Sequence, residues 1–320
     1  MNKYTLRQSL ILLLTATIWG VAFVAQSVGM EYVGPYTFNA VRTLIGGLVL
    51  LPCIILFKKI KPEEKTDKKN TKHLLIGGVS CGIFLFIASS LQQIGIQYTT
   101  VGKAGFITAL YIVIVPLLGL FMRKPVNIKI WIGVILAVIG MYLLCMKQGE
   151  NQLQSGDVLI LGCAITFSFH ILIVDHFSPL VDGVKMSCIQ LFTCSVLSGL
   201  FMLIFENPKI ENILNAWIPI LYAGALSCGV AYTLQIIGQK GLNSTIASLI
   251  MSLESVISLL AGWMILGQKL SARELLGCGI VFAAIILVQL PDRKPLGTGK
   301  NGSLSVTNGH LKEQSGDMSR

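Results

Sequence analysis

The chain has 320 residues, of which 53% are hydrophobic and 12% charged, and its mean hydropathy is +0.73. Soluble domains carry about 25% charged residues, so this composition excludes an ordinary soluble enzyme. The formal net charge is +10, but a nucleic-acid interface needs basic residues clustered on a folded polar surface. The apolar composition leaves no room for such a surface, and we expect no nucleic-acid partner.

Apolar runs of membrane-spanning length follow one another from residue 8 to residue 290. A helix of about 20 residues crosses a hydrocarbon core of roughly 30 Å. The sequence therefore predicts an all-α membrane protein with ten transmembrane helices. The predicted spans are 8–28, 37–57, 73–95, 103–123, 128–147, 156–176, 184–205, 216–238, 243–266 and 271–290.

Basic residues of the first half fall on one face of the predicted membrane protein. The connection 58–72 holds seven lysines against three acidic residues, a net charge of +4, whereas the opposite loops offer only Lys103. The positive-inside rule makes the lysine-rich face cytoplasmic, and ten spans then place both termini there. We expect a multi-pass protein of the plasma membrane whose basic face meets the anionic cytoplasmic leaflet. The basic residues of the second half are divided between the two faces, so the orientation rests on the first half.

An internal repeat divides the chain. A shift of 143 residues aligns 91–119 with 234–262 and gives eleven identities in 29 positions without a gap. A shift of 148 sets Arg42 against Gln190. Five spans per half is an odd number, so the second half enters the membrane from the opposite side. The sequence therefore predicts two inverted five-helix repeats, as in many secondary transporters, with the substrate site near the midplane between them.

The predicted organisation has three parts. The first repeat covers 1–147 and the second covers 148–291. After Leu290 the composition changes to Gly, Ser, Asn, Lys and Asp without apolar periodicity, and such a segment cannot bury enough surface to offset the entropy of ordering. We therefore predict a disordered cytoplasmic tail over 292–320.

Four stretches carry a family pattern. They are Trp19-Gly20 with Phe23 in span one, Pro35 with Arg42 in span two, QYTTVGKAGFITALYIVIVP in spans three and four, and SLESVISLLAGWMILGQKLS in span nine. On these residues the chain resembles the drug/metabolite transporter superfamily, EamA type, over roughly 8–290. The resemblance implies a ten-helix carrier of two inverted repeats that moves small metabolites, amino acids or drug-like compounds, usually outward.

One position departs from that family pattern. Span nine commonly reads Leu-Glu-Pro in the family, whereas Ser255 follows Leu253-Glu254 here. A proline kinks a helix because it removes a backbone donor and clashes with the preceding turn. The sequence thus gives no reason for a kink in span nine, while Pro116 predicts one in span four.

Glu254 lies near the middle of span nine. An ionised carboxylate at the bilayer centre costs at least about 2.5 kcal/mol, so it faces protein or a water-filled cavity. Two interpretations stay open: a group that couples transport to protons or binds a cation, and a hydrogen-bonded side chain that fixes span nine against its neighbours. Its repeat mate is Tyr111, and the symmetry brings both toward a shared axis.

Arg42 lies five residues into span two, with Asn39 one turn above it on the same face. One interpretation is a clamp for an anion or a substrate carboxylate. The position near the outer interface favours the alternative, an interfacial anchor or an ion pair between helices.

Amide and aromatic side chains complete the candidate site. Two roles stay open for Gln92 and its repeat mate Gln235. They gate the substrate pathway, or they join helices by an interhelical hydrogen bond worth about 0.6 kcal/mol. Trp19, Tyr232 and Trp263 are candidates for an aromatic wall, and packing against lipid or core is the alternative for each. The residues predicted to bind substrate or line a cavity are Trp19, Asn39, Arg42, Gln92, Tyr111, Gln190, Tyr232, Gln235 and Glu254.

The sequence carries no catalytic signal. His170 and Asp175 are five residues apart, about 140° around a helix, so they do not converge. ATP-binding and hydrolase motifs are absent, and the eight cysteines lack metal-site spacing and are predicted to be small apolar residues. We predict a carrier without cofactors that is driven by gradients. The sequence gives no prediction of its oligomeric state. A membrane-embedded lipid-modifying enzyme and a non-transporting scaffold are the alternatives.

Overall fold

Helices make up the regular structure of the described chain. The computed structural model describes residues 3–60, 68–99, 101–121, 127–145, 154–266 and 271–290, and no strand occurs in these ranges. The helices are α1 (Lys3–Gly29), α2 (Pro35–Ile60), α3 (Lys68–Ile96), α4 (Val101–Ala109), α5 (Tyr111–Phe121), α6 (Ile128–Cys145), α7 (Ser155–Phe177), α8 (Gly183–Phe205), α9 (Ile210–Asn215), α10 (Trp217–Leu221), a π-helical segment (Tyr222–Ala231), α11 (Tyr232–Gln239), α12 (Ser244–Met251), α13 (Leu253–Leu266) and α14 (Ala272–Gln289).

The described ranges contain nine helical stretches long and apolar enough to cross a membrane. α6 contributes a shorter apolar stretch, Ile128–Leu143, where the sequence predicts span five. α1 and α3 each begin five residues before their predicted spans, because a helix can continue past the hydrocarbon core into water. The chain is therefore a multi-pass membrane protein. The predicted tail, 292–320, and residues 61–67 of the lysine-rich connection lie outside the described residues.

Many polar side chains are buried beside the hydrophobic core, and many large apolar side chains are exposed. Asn39, Gln190 and His170 are 0% exposed, whereas Leu203 is 71% exposed. Six of the cysteines are buried, as predicted for small apolar residues: Cys81, Cys163, Cys188, Cys194, Cys228 and Cys278. This distribution fits helices surrounded by lipid with a polar interior.

The helices of the two halves pack in equivalent pairs. α1 and α7 end 148 residues apart, and α2 and α8 begin 148 residues apart. α2 packs along α8, and α6 packs along α14, so each of these helices contacts its own repeat mate. α3 packs against α7, and the stretch Trp217–Gln239 packs against α1 in the equivalent way. The packing therefore has an approximate two-fold symmetry.

Glycines permit close approach beside the interior. A Cβ at Gly20 of α1 would lie 2.5 Å from the Cβ of Ile257 and 2.8 Å from the carbonyl oxygen of Glu254. A Cβ at Gly46 of α2 would lie 2.7 Å from the Cβ of Cys228 in the π-helical segment. Small residues at such crossings let helix backbones approach in a membrane.

Spans four and nine are each interrupted at one residue. α4 and α5 are separated at Leu110, while Pro116 lies inside α5. The interruption therefore lies six residues before Pro116, and the kink at Pro116 stays a prediction. α12 and α13 are separated at Ser252, although no proline follows Glu254.

Backbone hydrogen bonds to the third residue back occur at both interruptions. The Leu110 N–H donates to the Ile107 carbonyl at 3.1 Å, three residues back instead of four. The Ser255 N–H donates to the Ser252 carbonyl at 3.1 Å, again three residues back. The 143-residue shift relates Ser252 to Ala109, the residue before Leu110. The two interruptions therefore lie at positions of the repeat that differ by one residue.

Candidate substrate-binding cavity

A cavity lies between the helices in the interior of the protein. Its empty space is about 500 Å³, counting the part open to solvent. The residues that line it are Trp19, Phe23, Gln26, Arg42, Gln92, Thr108, Tyr111, Phe167, Ile171, Ser227, Tyr232, Gln235, Met251 and Glu254. They come from α1, α2, α3, α4, α5, α7, the π-helical segment, α11, α12 and α13.

Most of the residues proposed from the sequence lie at this cavity. Those that line it are Trp19, Arg42, Gln92, Tyr111, Tyr232, Gln235 and Glu254. Asn39 and Gln190 are buried behind it, and each contacts a residue that supports the wall. Their placement brings nearly all of the predicted set together, and substrate binding by these residues stays a prediction.

Tyr111 and Glu254 contact each other in this cavity wall. Each lies just after the interruption of its span, and the Tyr111 hydroxyl donates to Glu254 Oε1 at 3.1 Å. Both are buried, with 4% and 6% of their surface exposed. Glu254 contributes the carboxylate of the described lining. The half-helix that begins at Leu253 therefore presents an acidic group to the cavity.

Arg42 is buried and faces the same cavity. Its Nε donates to Asn39 Oδ1 at 3.0 Å, and its guanidinium carbon lies 5.3 Å from the centre of the Phe38 ring, a cation–π contact. Among the described residues no carboxylate oxygen lies within 4 Å of it. The expected interfacial anchor or helix-packing ion pair is therefore wrong, because α2 directs Arg42 into the interior.

His170 supports the cavity from behind. Its Nε2 lies 3.0 Å from Gln190 Oε1, and its ring centre lies 6.1 Å from that of Tyr232. The sequence indicates only that His170 and Asp175 diverge. The contact with Gln190 depends on how α7 packs near α8, which spacing along the chain does not reveal.

Amide groups in the lining differ in their hydrogen bonds. Gln92 Nε2 donates to Thr108 Oγ1 at 3.4 Å. The side-chain oxygens of Gln26 and Gln235 are buried and have no partner within the described residues. Leaving a buried polar atom unpaired costs about 1–3 kcal/mol, so these amides favour a polar ligand or water in the cavity.

Aromatic rings form one side of the wall. The Trp19 and Tyr232 rings are tilted with centres 4.9 Å apart, and the Trp19 indole N–H donates to the Ser227 carbonyl at 3.3 Å. Ser227 belongs to the π-helical segment, a form that often marks functional sites. Trp263, the other tryptophan proposed for an aromatic wall, is 49% exposed on α13 and lies outside the cavity, so that proposal is wrong.

The lining contains repeat mates. Sequence reasoning missed seven of its residues, namely Phe23, Gln26, Thr108, Phe167, Ile171, Ser227 and Met251. The 148-residue shift relates Trp19 to Phe167 and Phe23 to Ile171, and the 143-residue shift relates Thr108 to Met251. Applying the 148-residue shift to Trp19, which was proposed from the sequence, would have found Phe167.

Metal binding finds no support in the described part of the chain. No group of three His, Cys, Asp or Glu side chains there is placed to hold a metal ion.

Comparisons with known proteins agree with this architecture. The profile of the EamA-like transporter family matches residues 7–146 and 154–290. An uncharacterized transporter of Archaeoglobus fulgidus is 31% identical over 280 residues, which is 87% of this chain and 84% of that protein. The threonine/homoserine exporter RhtA of Escherichia coli K12 is 28% identical over 89% of this chain and 92% of its own length.

A solved protein structure has the same fold at 18% sequence identity. It covers 89% of this chain and 98% of its own, with a TM-score of 0.73. The relatives are named as transporters, which fits a protein that is not an enzyme. The family profile matches both halves of the sequence separately, as the internal repeat requires. This chain belongs to the EamA-like transporter family, in the drug/metabolite transporter superfamily.

Proposed function

We propose that this protein is a secondary carrier that exports a small molecule across the plasma membrane by alternating access. The supporting observation is the cavity lined by repeat mates, because a two-fold arrangement lets the halves rock and open one cavity to either side in turn. The cargo belongs to the small metabolites, amino acids or drug-like compounds. Threonine and homoserine are the first candidates, since RhtA is named for them.

The proposed topology has ten spans in two inverted repeats, 1–147 and 148–291. α6 supplies span five, since it packs along α14 as the repeat mate of a full-length span. Both termini are cytoplasmic, with the lysine-rich connection against the anionic leaflet. Five spans in each repeat reverse the direction of the second one.

Gradients supply the energy in this proposal. The sequence has no G-x-x-x-x-G-K-[ST] motif that would bind ATP phosphates. Glu254 is proposed as the group that exchanges a proton, because it is the acid of the described cavity lining and touches its own repeat mate. Neither the enzyme nor the scaffold alternative has a specific observation in its favour.

Counterflow in proteoliposomes tests the carrier function. Liposomes containing the purified protein are loaded with one unlabelled compound and given a trace of the same labelled compound outside. We expect transient labelled accumulation for at least one compound of a panel of threonine, homoserine, the other common amino acids and cationic dyes. Uptake equal to that of protein-free liposomes for the whole panel, with protein that still unfolds cooperatively, would contradict the proposal.

A further inference from the structure

Two opposite charges face the cavity without pairing to each other. Arg42 and Glu254 both line it, yet the described contacts of Arg42 are with Asn39 and Phe38, and Glu254 bonds to Tyr111. A buried charge without a counter-charge is costly, and the cost is recovered only when a partner arrives. The cavity therefore has a cationic and an anionic part that await groups of opposite sign.

The cationic part is shaped for a carboxylate. A guanidinium offers five N–H donors in a planar fork that matches the two oxygens of a carboxylate. Asn39 accepts from Nε at 3.0 Å, and the described residues take no hydrogen bond from either Nη group. Asn39 is 0% exposed, so it holds the guanidinium from the protein side while the Nη groups stay free for a ligand.

The anionic part is shaped for an ammonium group. An ammonium carries three N–H donors and requires as many acceptors. Glu254 uses Oε1 for Tyr111, and its Oε2 accepts no hydrogen bond from the described residues. The amide oxygens of Gln26 and Gln235 are also without partners in the described chain, and both residues line the cavity while being 5% and 2% exposed.

We propose that Arg42 binds the carboxylate and Glu254 the ammonium group of a zwitterionic amino acid. The formal charges of the two residues cancel, so a ligand of zero net charge with separated ends leaves the cavity neutral. Trp19, Phe23 and Phe167 provide an apolar wall for the side chain of this ligand. The inference rests on the proposed carrier function and assigns the cargo class and two specificity residues to it.

Binding to the purified full-length protein tests this assignment without requiring transport. Each of the twenty common amino acids is screened for a rise in the thermal unfolding temperature. For each amino acid that binds, its decarboxylated amine and its deaminated acid are then compared with it. We expect both analogues to bind at least about tenfold more weakly, because each leaves one buried charge unpaired.

Variants then assign the two ends of the ligand. Arg42→Gln should remove the preference for the amino acid over its amine, and Glu254→Gln should remove the preference for the amino acid over its acid. Arg42→Lys keeps the charge without the planar fork and covers the case in which Arg42→Gln does not fold. Arg273→Gln and Glu211→Gln, whose residues lie outside the lining, serve as matched controls and should keep both preferences.

The possible results separate this inference from the carrier function. Binding of no amino acid, or equal binding of an amino acid and its two analogues by the parent protein, overturns the inference even if counterflow of another compound succeeds. Selective binding of the amino acid without counterflow supports the two subsites and contradicts the carrier function instead. A variant that folds but keeps the preference it should lose overturns the role of that residue.

Discussion

Tyr111 and Glu254 are 143 residues apart, occupy equivalent positions in the two repeats, and hydrogen-bond to each other at 3.1 Å. In a two-fold arrangement, only residues close to the axis can touch their own repeat mates. The contact therefore marks where the axis passes through the cavity wall. It also joins the second half of span four to the second half of span nine.

Tyr111→Phe tests the stability that this bond contributes. The change removes the hydroxyl donor and leaves Glu254 Oε1 buried without a partner, so we expect a loss of about 1–3 kcal/mol in the free energy of unfolding. Thermal unfolding in detergent measures the difference. Tyr98→Phe is the control, because Tyr98 is 57% exposed and should tolerate the change. Equal stability of the two variants would contradict an energetic role for the bond.

The sequence predicts this pairing because it depends only on the repeat. The 143-residue shift by itself identifies Tyr111 as the mate of Glu254, and the apolar runs give the helices to within a few residues. Residues whose roles follow from their own span and its mate, such as Gln92 and Gln235, are also found in this way.

The placement of Arg42 and His170 is not predictable from the same patterns. The burial of Arg42 depends on how α2 packs against α8 and the π-helical segment, whereas its position along the span suggests the membrane interface. His170 meets Gln190 only because of helix packing. The interruption of span nine at Ser252, where the Ser255 N–H bonds to the carbonyl three residues back, has no proline beside it in the sequence that would predict it.

Gly20→Ala tests the close approach of α1 to Glu254. The added Cβ would lie 2.5 Å from the Cβ of Ile257, and overpacking of this kind costs about 1–3 kcal/mol. Gly199→Ala is the control, because a Cβ there meets nothing within 4 Å and alanine is favoured over glycine inside a helix by about 0.5–1 kcal/mol. We expect a lower unfolding temperature for the first variant and an unchanged or higher one for the second. The opposite order would argue against tight packing at Gly20.

Tryptophan fluorescence provides a test of the cavity wall. Trp19 lines the cavity, whereas Trp263 is 49% exposed on the outside. A bound ligand should therefore change the emission of Trp19 and leave that of Trp263 unchanged. We expect the ligand-induced change to disappear in Trp19→Phe and to persist in Trp263→Phe, with the ligand taken from the binding screen. A signal that survives in Trp19→Phe while the ligand still binds would place the ligand elsewhere.

Reporter fusions test the proposed topology. Reporters fused after residue 65 and at the C-terminus should be active in the cytoplasm, and one inserted near Gly34 should report the outside, because ten spans return the chain to its starting side. Reporters that respond in opposite compartments, such as a phosphatase and a fluorescent protein, measure this. An outside signal from a reporter at either of the two positions expected in the cytoplasm would contradict the ten-span topology.

Glu254→Gln tests whether this residue couples transport to protons. The titratable groups with an electrostatic interaction with Glu254 are Tyr111, Tyr232 and Cys163, and side chains of these types are uncharged near neutral pH. The carboxyl group is therefore the one able to change charge as the cavity opens to either side. Glutamine cannot, although it keeps an acceptor oxygen for Tyr111.

We expect flux through Glu254→Gln in proteoliposomes to lose its dependence on a pH gradient, while exchange stays measurable at raised substrate concentration. The parent protein and Glu211→Gln, an exposed acid, should both follow the gradient. If Glu254 only ties span nine to span four, glutamine preserves a bond of similar shape, and the pH response should survive with a modest loss of stability. A variant whose flux still follows the gradient as the parent does would exclude Glu254 as the coupling group. His170 would then be the next candidate, because its ring centre lies 6.1 Å from that of Tyr232 in the aromatic wall.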